Sequence, residues 1–406
     1  MAHAISPRSE GRTGTLLVAS RENSLMSPKQ DPIRILRIIA RMNVGGPALQ
    51  IFGLSTHLNK KKFEQLLLTG FCDHEEIDFL TTHEIQVPVI MVPGLGRKLK
   101  LISDLCAFFQ VWQVMRQFRP HVVHTHTAKG GVLGRTASIL SFQNHKRVHT
   151  FHGHLLYGYF SKFGTQIVIL IEKLLAKQTH ILISVGSQVK KDLLNVKIGN
   201  LSKFRVVPPG LEINLTKSKM QSRTELDLDQ NAVYFSWIGR VVPIKDPLRL
   251  IRIAEITKRS KLPIRFCVAG DGPLLPEISQ LAQNRQLPID FLGWQPDIER
   301  VLAASDAVIL TSINEGTPLS LIQAQMAGKP IISTAVGSVL EIVDNNKTGF
   351  VGDFDDDEFA SCILKLSEDS TLRVRMGNLG REFALKRFSV ERLALDHEKI
   401  YTDLFF

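Results

Sequence analysis

The stretch AVILTSINEGTPLSLIQAQMAGKPIISTA (Ala307 to Ala335) reads as one strand-helix-strand unit. AVILTS (307 to 312) is a short β-type apolar run, the Gly316-Thr317-Pro318 turn opens a helical segment, and KPIISTA (329 to 335) is a second strand. Strands joined through a helix run parallel, because a parallel pair needs a long crossover while an antiparallel pair needs only a hairpin. The fold class that follows is α/β, with a mostly parallel sheet covered by helices on both faces.

The same alternation extends through the chain and starts twice. IRILRIIA (33 to 40), FEQLLLTG (63 to 70), VPVIMVP (87 to 93), HVVHTH (121 to 126), RVHTFHG (147 to 153), THILISVG (179 to 186) and FRVVPPG (204 to 210) read as a first series of strands. Leu99 to Arg119 is one of the helices between them. Pro208 to Asn231 is polar and aperiodic and reads as a linker. A second series follows at 232 to 239, 263 to 270, 288 to 294, 307 to 312, 329 to 335 and 349 to 353. Two facing, Rossmann-like, doubly wound domains are expected over 33–210 and 211–388, with an interdomain cleft at the carboxyl ends of their strands. Residues 389–406 form an amphipathic helix able to pack back on the first domain, and 1–32 are polar, aperiodic and expected to be disordered. Glu10 and Glu22 argue against a transit peptide in that segment, and Met26 is an alternative initiator.

At 406 residues and 44% hydrophobic content the chain has enough apolar material for two cores. Cys72, Cys106, Cys267 and Cys362 lack CxxC spacing and sit among apolar neighbours, which reads as reduced core thiols in a cytoplasmic protein. The net charge of +11 is uneven: residues 33 to 210 carry +14 and those after 210 carry −4. A basic first half meets something anionic, a substrate phosphate or the inner face of the cytoplasmic membrane; no groove-reading motif points to nucleic acid. Solubilising surface charge is the alternative. No apolar run is long enough to span a bilayer.

Two segments carry chemistry. In GRVVPIKDP, Gly239 and Arg240 follow a strand, and Asp246-Pro247 reads as a helix N-cap and first turn, so Lys245 sits just before a helix. A guanidinium and an ammonium at a strand end suit a diphosphate, although two surface cations in a loop would show the same spacing. In the opening stretch Thr317 reads as an N-cap and Pro318 as the first helical residue, leaving the N–H groups of Leu319 and Ser320 free for an anion. Glu315 precedes that turn and Gln323 lies inside the helix, as if gripping two parts of one elongated ligand.

Taken together, GRVVPIKD, VAGDGPL, DIERVLAASDAVILTS, EGTPLSLIQAQMAGKPIISTAVGSVLEIV and TGFV resemble the retaining glycosyltransferases of family 4, which have the GT-B fold. RMNVGGPALQI, VVHTHTAKGGVLGR and VHTFHGHLLYGYF carry the resemblance through the first half. It implies a nucleotide-sugar donor, a UDP-sugar by preference, and a glycan or lipid-linked acceptor of surface polysaccharide synthesis. It implies that Arg240 and Lys245 hold the donor diphosphate, that Glu315 contacts the transferred sugar, and that His152 faces that sugar near the reacting carbon. Gly316, Thr317, Leu319 and Ser320 belong to the donor-binding turn, and Gly45 and Gly46 match the glycine turn after the first strand. Gln323 departs from the family pattern, which has an acid there for the ribose; an amide brings no charge.

GDGPLL (270 to 275) lacks the third glycine of a dinucleotide fingerprint. His124, His126, His149, His152 and His154 cluster in a metal-like spacing, but no carboxylate accompanies them, so neither cofactor nor metal is expected. His121 and His145 read as surface residues. Two segments mix aromatic and basic residues, RKLK (Arg97 to Lys100) with the following Phe108, Phe109 and Trp112, and YGYFSKFGTQIVILIEKLLAK from Tyr157. That composition suits either an anionic lipid interface or a helix with one buried and one solvated face. A UDP-sugar 2-epimerase of the same fold and a non-catalytic sugar-nucleotide-binding partner are the two alternative functions.

Overall fold

The computed structural model describes residues 31–74, 76–96, 98–153 and 162–405. The expectations placed on residues 1–30, on Arg97 and on the aromatic segment from His154 to Ser161 lie outside them. The first sheet comprises β1 (Ile33–Arg41), β2 (Phe63–Gly70), β3 (Val89–Met91), β4 (Val122–His126), β5 (Lys146–Phe151), β6 (Ile181–Ser184) and β7 (Phe204–Val206), in the order β3-β2-β1-β4-β5-β6-β7. The second comprises β8 (Val233–Ile238), β9 (Ile264–Ala269), β10 (Ile289–Gly293), β11 (Ala307–Leu310), β12 (Ile331–Thr334) and β13 (Gly349–Gly352), in the order β10-β9-β8-β11-β12-β13. Every pairing is parallel.

The crossovers of the first half are α1 (Gly46–His57), α2 (Leu101–Phe118), α3 (Ala128–Leu140), α4 (Lys162–Gln178) and α5 (Ser187–Asn195). In the second half α6 (Lys219–Glu225) precedes the sheet, α7 (Pro247–Lys258), α8 (Leu275–Asn284), α9 (Ile298–Ala304), α10 (Leu319–Met326) and α11 (Val339–Ile342) connect its strands, and α12 (Asp356–Glu368), α13 (Ser370–Phe388) and α14 (Val390–Thr402) follow it. Covered on both faces, the central strands are buried along their length: Ile35, Leu36, Ile38 and Ile39 of β1 are fully buried, as are Val308 and Ile309 of β11, and buried polar residues interrupt the apolar run in β1 at Arg37 and in β4 at His124 to His126. No described helix is long and apolar enough to cross a membrane.

The stretch from Pro208 to Asn231 is more than a linker. Ser218 and Gln221 form a reciprocal capping box for α6, and Arg223 is buried on the second domain, bonded to the carbonyls of Ala304, Asp229, Gln230 and Ala232 and to the Asp306 carboxylate. A helix docked through an arginine carries no apolar stripe, which is why its sequence reads as a loop. Cys106 also departs from expectation, being exposed on α2, while Cys267 is buried.

The chain passes between the domains twice, side by side. Leu211 leaves the first domain and forms a bridge with Ser389, its N–H donating to the Phe388 carbonyl at 2.8 Å. Arg392, in the first turn of α14, donates to the carbonyls of Pro208 and Pro209 at 2.8 and 2.7 Å. α14 then packs on the first sheet, where Leu393, Ile400 and Tyr401 join Ile35, Leu54, Phe63 and Val122 in one core.

Candidate active site

Strand order reverses between β1 and β4 in the first sheet and between β8 and β11 in the second. Adjacent crossovers leave in opposite directions at such a point and open a crevice at the strands' carboxyl ends. There the sequence places Gly45 and Gly46 after β1, His126 at the end of β4, Gly239 and Arg240 after β8, and the segment from Thr311 to Leu319 after β11.

On the second-domain side, a tight turn (Pro243–Lys245) leads to Asp246, whose carboxylate caps α7 by accepting the Arg249 N–H at 3.2 Å. The Lys245 ammonium is ion-paired with Glu315, and Ser312 donates to the same carboxylate oxygen at 2.6 Å. Both charged side chains are largely covered, 19% and 10% exposed. The loop holding Lys245 is pinned from below: Thr311 Oγ1 lies 2.9 Å from the Lys245 carbonyl and 3.0 Å from that of Asp246, and accepts the Trp237 indole N–H at 2.9 Å. The GDGPL segment buttresses it from the side, since Val241 donates to the Asp271 carbonyl and Leu274 to the Val241 carbonyl. Arg240 is exposed at the strand end with no side-chain partner among the described residues.

The Glu315 turn is held by a glycine the sequence reading passed over. Gly337 has φ +55°, and a side chain there would begin 2.0 Å from the Glu315 carbonyl. Thr317 does not cap α10. Pro318 is the cap, extended at φ −71° and ψ 107°, so the helix begins at Leu319. The Thr317 hydroxyl instead donates to the Val185 carbonyl of the first domain at 3.2 Å. Leu319 and Ser320 keep N–H groups without a backbone acceptor among the described residues. Gln323, one turn further, is half-buried with no side-chain partner among them.

The two domains meet around this turn. A side chain at Gly316 would start 3.0 Å from Gly153 Cα, and one at Gly46 would start 3.3 Å from Leu319. Glu341 of α11 accepts the N–H groups of Ser187 and Gln188 at the start of α5, at 2.7 and 3.2 Å. Gly46, His152, Lys245, Glu315, Gly316, Thr317 and Leu319 are thereby gathered by direct contacts, with Gly45 and Gly239 as chain neighbours. Arg240 follows β8, and Ser320 and Gln323 lie in the first turns of α10, on the same side of the cleft.

The clustered histidines form a buried network. His124 bonds the Tyr401 hydroxyl at 2.7 Å and Thr150 at 2.8 Å, His149 bonds Thr125 at 2.8 Å, and His126 Nδ1 meets His152 Nε2 at 2.8 Å. Arg37, buried in β1, donates to Gln65 and to the Tyr401 hydroxyl. Burial holds His124, His126 and His149 well below the usual histidine range, His126 further depressed by His152 and Arg37, and pushes His152 and His397 down to about 3. These rings are neutral at physiological pH. Among the described residues no three His, Cys, Asp or Glu side chains converge as a metal site. His154 lies outside those residues. His145 is not a surface residue: it is 2% exposed, bonded to Ser138 and Gln143, and lowered by burial to about 4. Of the aromatic residues on α2, Phe108 and Trp112 pack on the sheet, whereas Leu101, Ile102, Leu105 and Phe109 are exposed.

Comparison with known proteins covers both halves. The glycosyltransferase family 4 model matches residues 44–215, and the model "Glycosyl transferases group 1" matches 218–383. The UDP-Gal:alpha-D-GlcNAc-diphosphoundecaprenol alpha-1,3-galactosyltransferase of Escherichia coli is 28% identical over 329 residues, 78% of this chain and 84% of that one. The capsular polysaccharide biosynthesis glycosyltransferase CapM of Staphylococcus aureus is 24% identical over 80% of this chain and 92% of that one. In fold, the chain is similar to Anabaena HepE in complex with UDP-glucose, with a TM-score of 0.77 at 20% identity over 91% of this chain and 99% of that one. Two Rossmann-like sheets meeting at their switch points, each half matched by its own family model, make this chain a member of the group 1 glycosyltransferases, with the GT-B fold.

Proposed function

We propose that the chain is a retaining glycosyltransferase that moves a sugar from a UDP-sugar to a glycan or lipid-linked acceptor in bacterial surface polysaccharide synthesis. The observation that carries this reading is the covered Lys245–Glu315 pair at the second switch point, in a turn whose next residue, Gly316, comes against Gly153 and the His152 carbonyl of the first domain. Donor diphosphate sits against Arg240, Lys245 and the N–H groups of Leu319 and Ser320, which offset its charge as the bond to the sugar breaks. Glu315 takes the sugar hydroxyls, Gln323 the ribose, and the acceptor enters from the side of Gly45. The leaving diphosphate helps deprotonate the acceptor on the same face, and the reaction uses no metal. The E. coli relative's name supports UDP and a lipid-linked acceptor, and HepE was crystallised with UDP-glucose.

A thermal-shift screen of UDP-, GDP- and ADP-sugars tests the donor. Ligand at 100 times its Kd stabilises a protein by about 2.7 kcal/mol, so the matching UDP-sugar raises the melting temperature by a few degrees. Gln323→Glu adds a charge-assisted bond to the ribose and strengthens the shift, with affinity rising about tenfold. A flat response to every nucleotide sugar overturns the reading, and conversion of a UDP-sugar without acceptor marks an epimerase instead.

We also propose that the basic first domain contacts an anionic membrane. Exposed Leu101, Ile102, Leu105 and Phe109 on α2 lie beside Lys98 and Lys100, the composition of an interfacial helix. Sedimentation with phosphatidylglycerol vesicles, released by 0.5 M salt and lost in Ile102→Glu/Phe109→Glu, is the expected outcome. Equal recovery with neutral vesicles counts against it.

A further inference from the structure

At the floor of the cleft two histidines share one hydrogen bond, and its direction can be worked out. His126 ends β4 and His152 follows β5, with 2.8 Å between His126 Nδ1 and His152 Nε2. His126 is 1% exposed, and its other ring nitrogen, Nε2, is sealed from solvent without a partner among the described residues. His152 Nδ1 is bonded to nothing among the described residues.

One hydrogen bond between neutral rings takes one proton. If His152 donates from Nε2, His126 carries its own proton on Nε2, as a buried N–H with no acceptor. If His126 donates from Nδ1, its Nε2 is a bare lone pair. Buried donors without acceptors are the rarer and costlier defect. A doubly protonated His126 would bury a cation near the Arg37 guanidinium and the rings of His152, His149 and His397, with no acid among the described residues that act on it.

We infer that His126 donates its Nδ1 proton to His152 Nε2, so that His152 carries its proton on Nδ1 and meets the bound sugar as a fixed hydrogen-bond donor. The bond to His126 thereby selects the form of imidazole that is the minor one in water. His152 is then neither base nor cation, and it offers an N–H to a sugar oxygen. His126 touches no substrate and is a positioning residue. The sugar's place beside His152 rests on the proposed transferase reading; the tautomer does not.

The test is a long-range 1H–15N imidazole correlation on the full chain labelled with 15N-histidine, with the His152 signals assigned by their loss in His152→Gln. His152 shows a protonated Nδ1 and an accepting Nε2. His126→Phe returns His152 to the Nε2-protonated form, whereas His126→Asn, whose amide N–H replaces Nδ1–H, keeps it. With the donor found by the screen, His126→Phe lowers kcat about three- to tenfold, the loss of one neutral hydrogen bond, and His126→Asn retains wild-type turnover. A wild-type spectrum with the proton on His152 Nε2 overturns the inference, and so does an Asn variant that behaves like the Phe variant. The wild-type spectrum needs neither substrate nor a folded Phe variant, so failure of the transferase reading leaves it decisive.

Discussion

Lys245→Ala lowers kcat by about two to three orders of magnitude, and Arg240→Ala does the same within a factor of about ten. As the diphosphate leaves it gains negative charge, and a cation fixed in a water-poor cleft lowers that barrier far more than one in bulk solvent. Lys245 is so fixed: its loop is held by Thr311 and by the Gly270 to Leu274 segment, and its ammonium lies on Glu315. In the proposed mechanism donor binding draws that ammonium toward phosphate, and the Ser312 hydroxyl, already bonded to Glu315, stays as its partner. Glu315→Gln should therefore damage kcat more than donor affinity, the reverse of Gln323→Glu. Steady-state kinetics with the donor identified by thermal shift decides the matter. Turnover close to wild type in both cation variants would remove Arg240 and Lys245 from the mechanism.

Acid between pH 6.5 and 5 unfolds the first domain. His124, His126, His149, His152 and His397 are all lowered by burial, so the unfolded chain binds their protons near pH 6.5 while the folded chain refuses them. Stability from these groups is complete above pH 6.5 and lost as pH falls below it. At pH 5.5 each ring that stays neutral in the fold costs about 1.4 kcal/mol, or about 7 kcal/mol for the five, comparable with the whole stability of a domain. These rings lie in β4, in and just after β5, and in α14, so Trp112 fluorescence should change before that of Trp237 in the second sheet. A melting profile unchanged from pH 7 to pH 5 would falsify this expectation.

Sheet architecture was legible because period and composition decide it: each of the apolar runs between Ile33 and Asp353 coincides with a strand. Elements held by polar contacts were not. α6 docks through Arg223, and the start of α10 moved by one residue because Thr317 found a carbonyl of the other domain. Contacts between chain segments more than a hundred residues apart, such as Thr317 with Val185 or Glu341 with Ser187, leave no local signal. The family resemblance named the residues of the turn, but not Gly337, Ser312 or Thr311 that hold it. The His126 to His152 bond joins the end of β4 to the residue that follows β5, and nothing in the spacing of the histidines announces it.

The paired crossings of the chain at Leu211 and Ser389 have a mechanical meaning. A single linker lets two bodies swivel, twist and separate; two strands bonded side by side behave as a door hung on two pins. Arg392 locks the pins together through the carbonyls of Pro208 and Pro209. Twisting or sliding one domain against the other would break these bonds, whereas rotation about their common line would leave them in place, so the crossing itself favours one direction of relative movement.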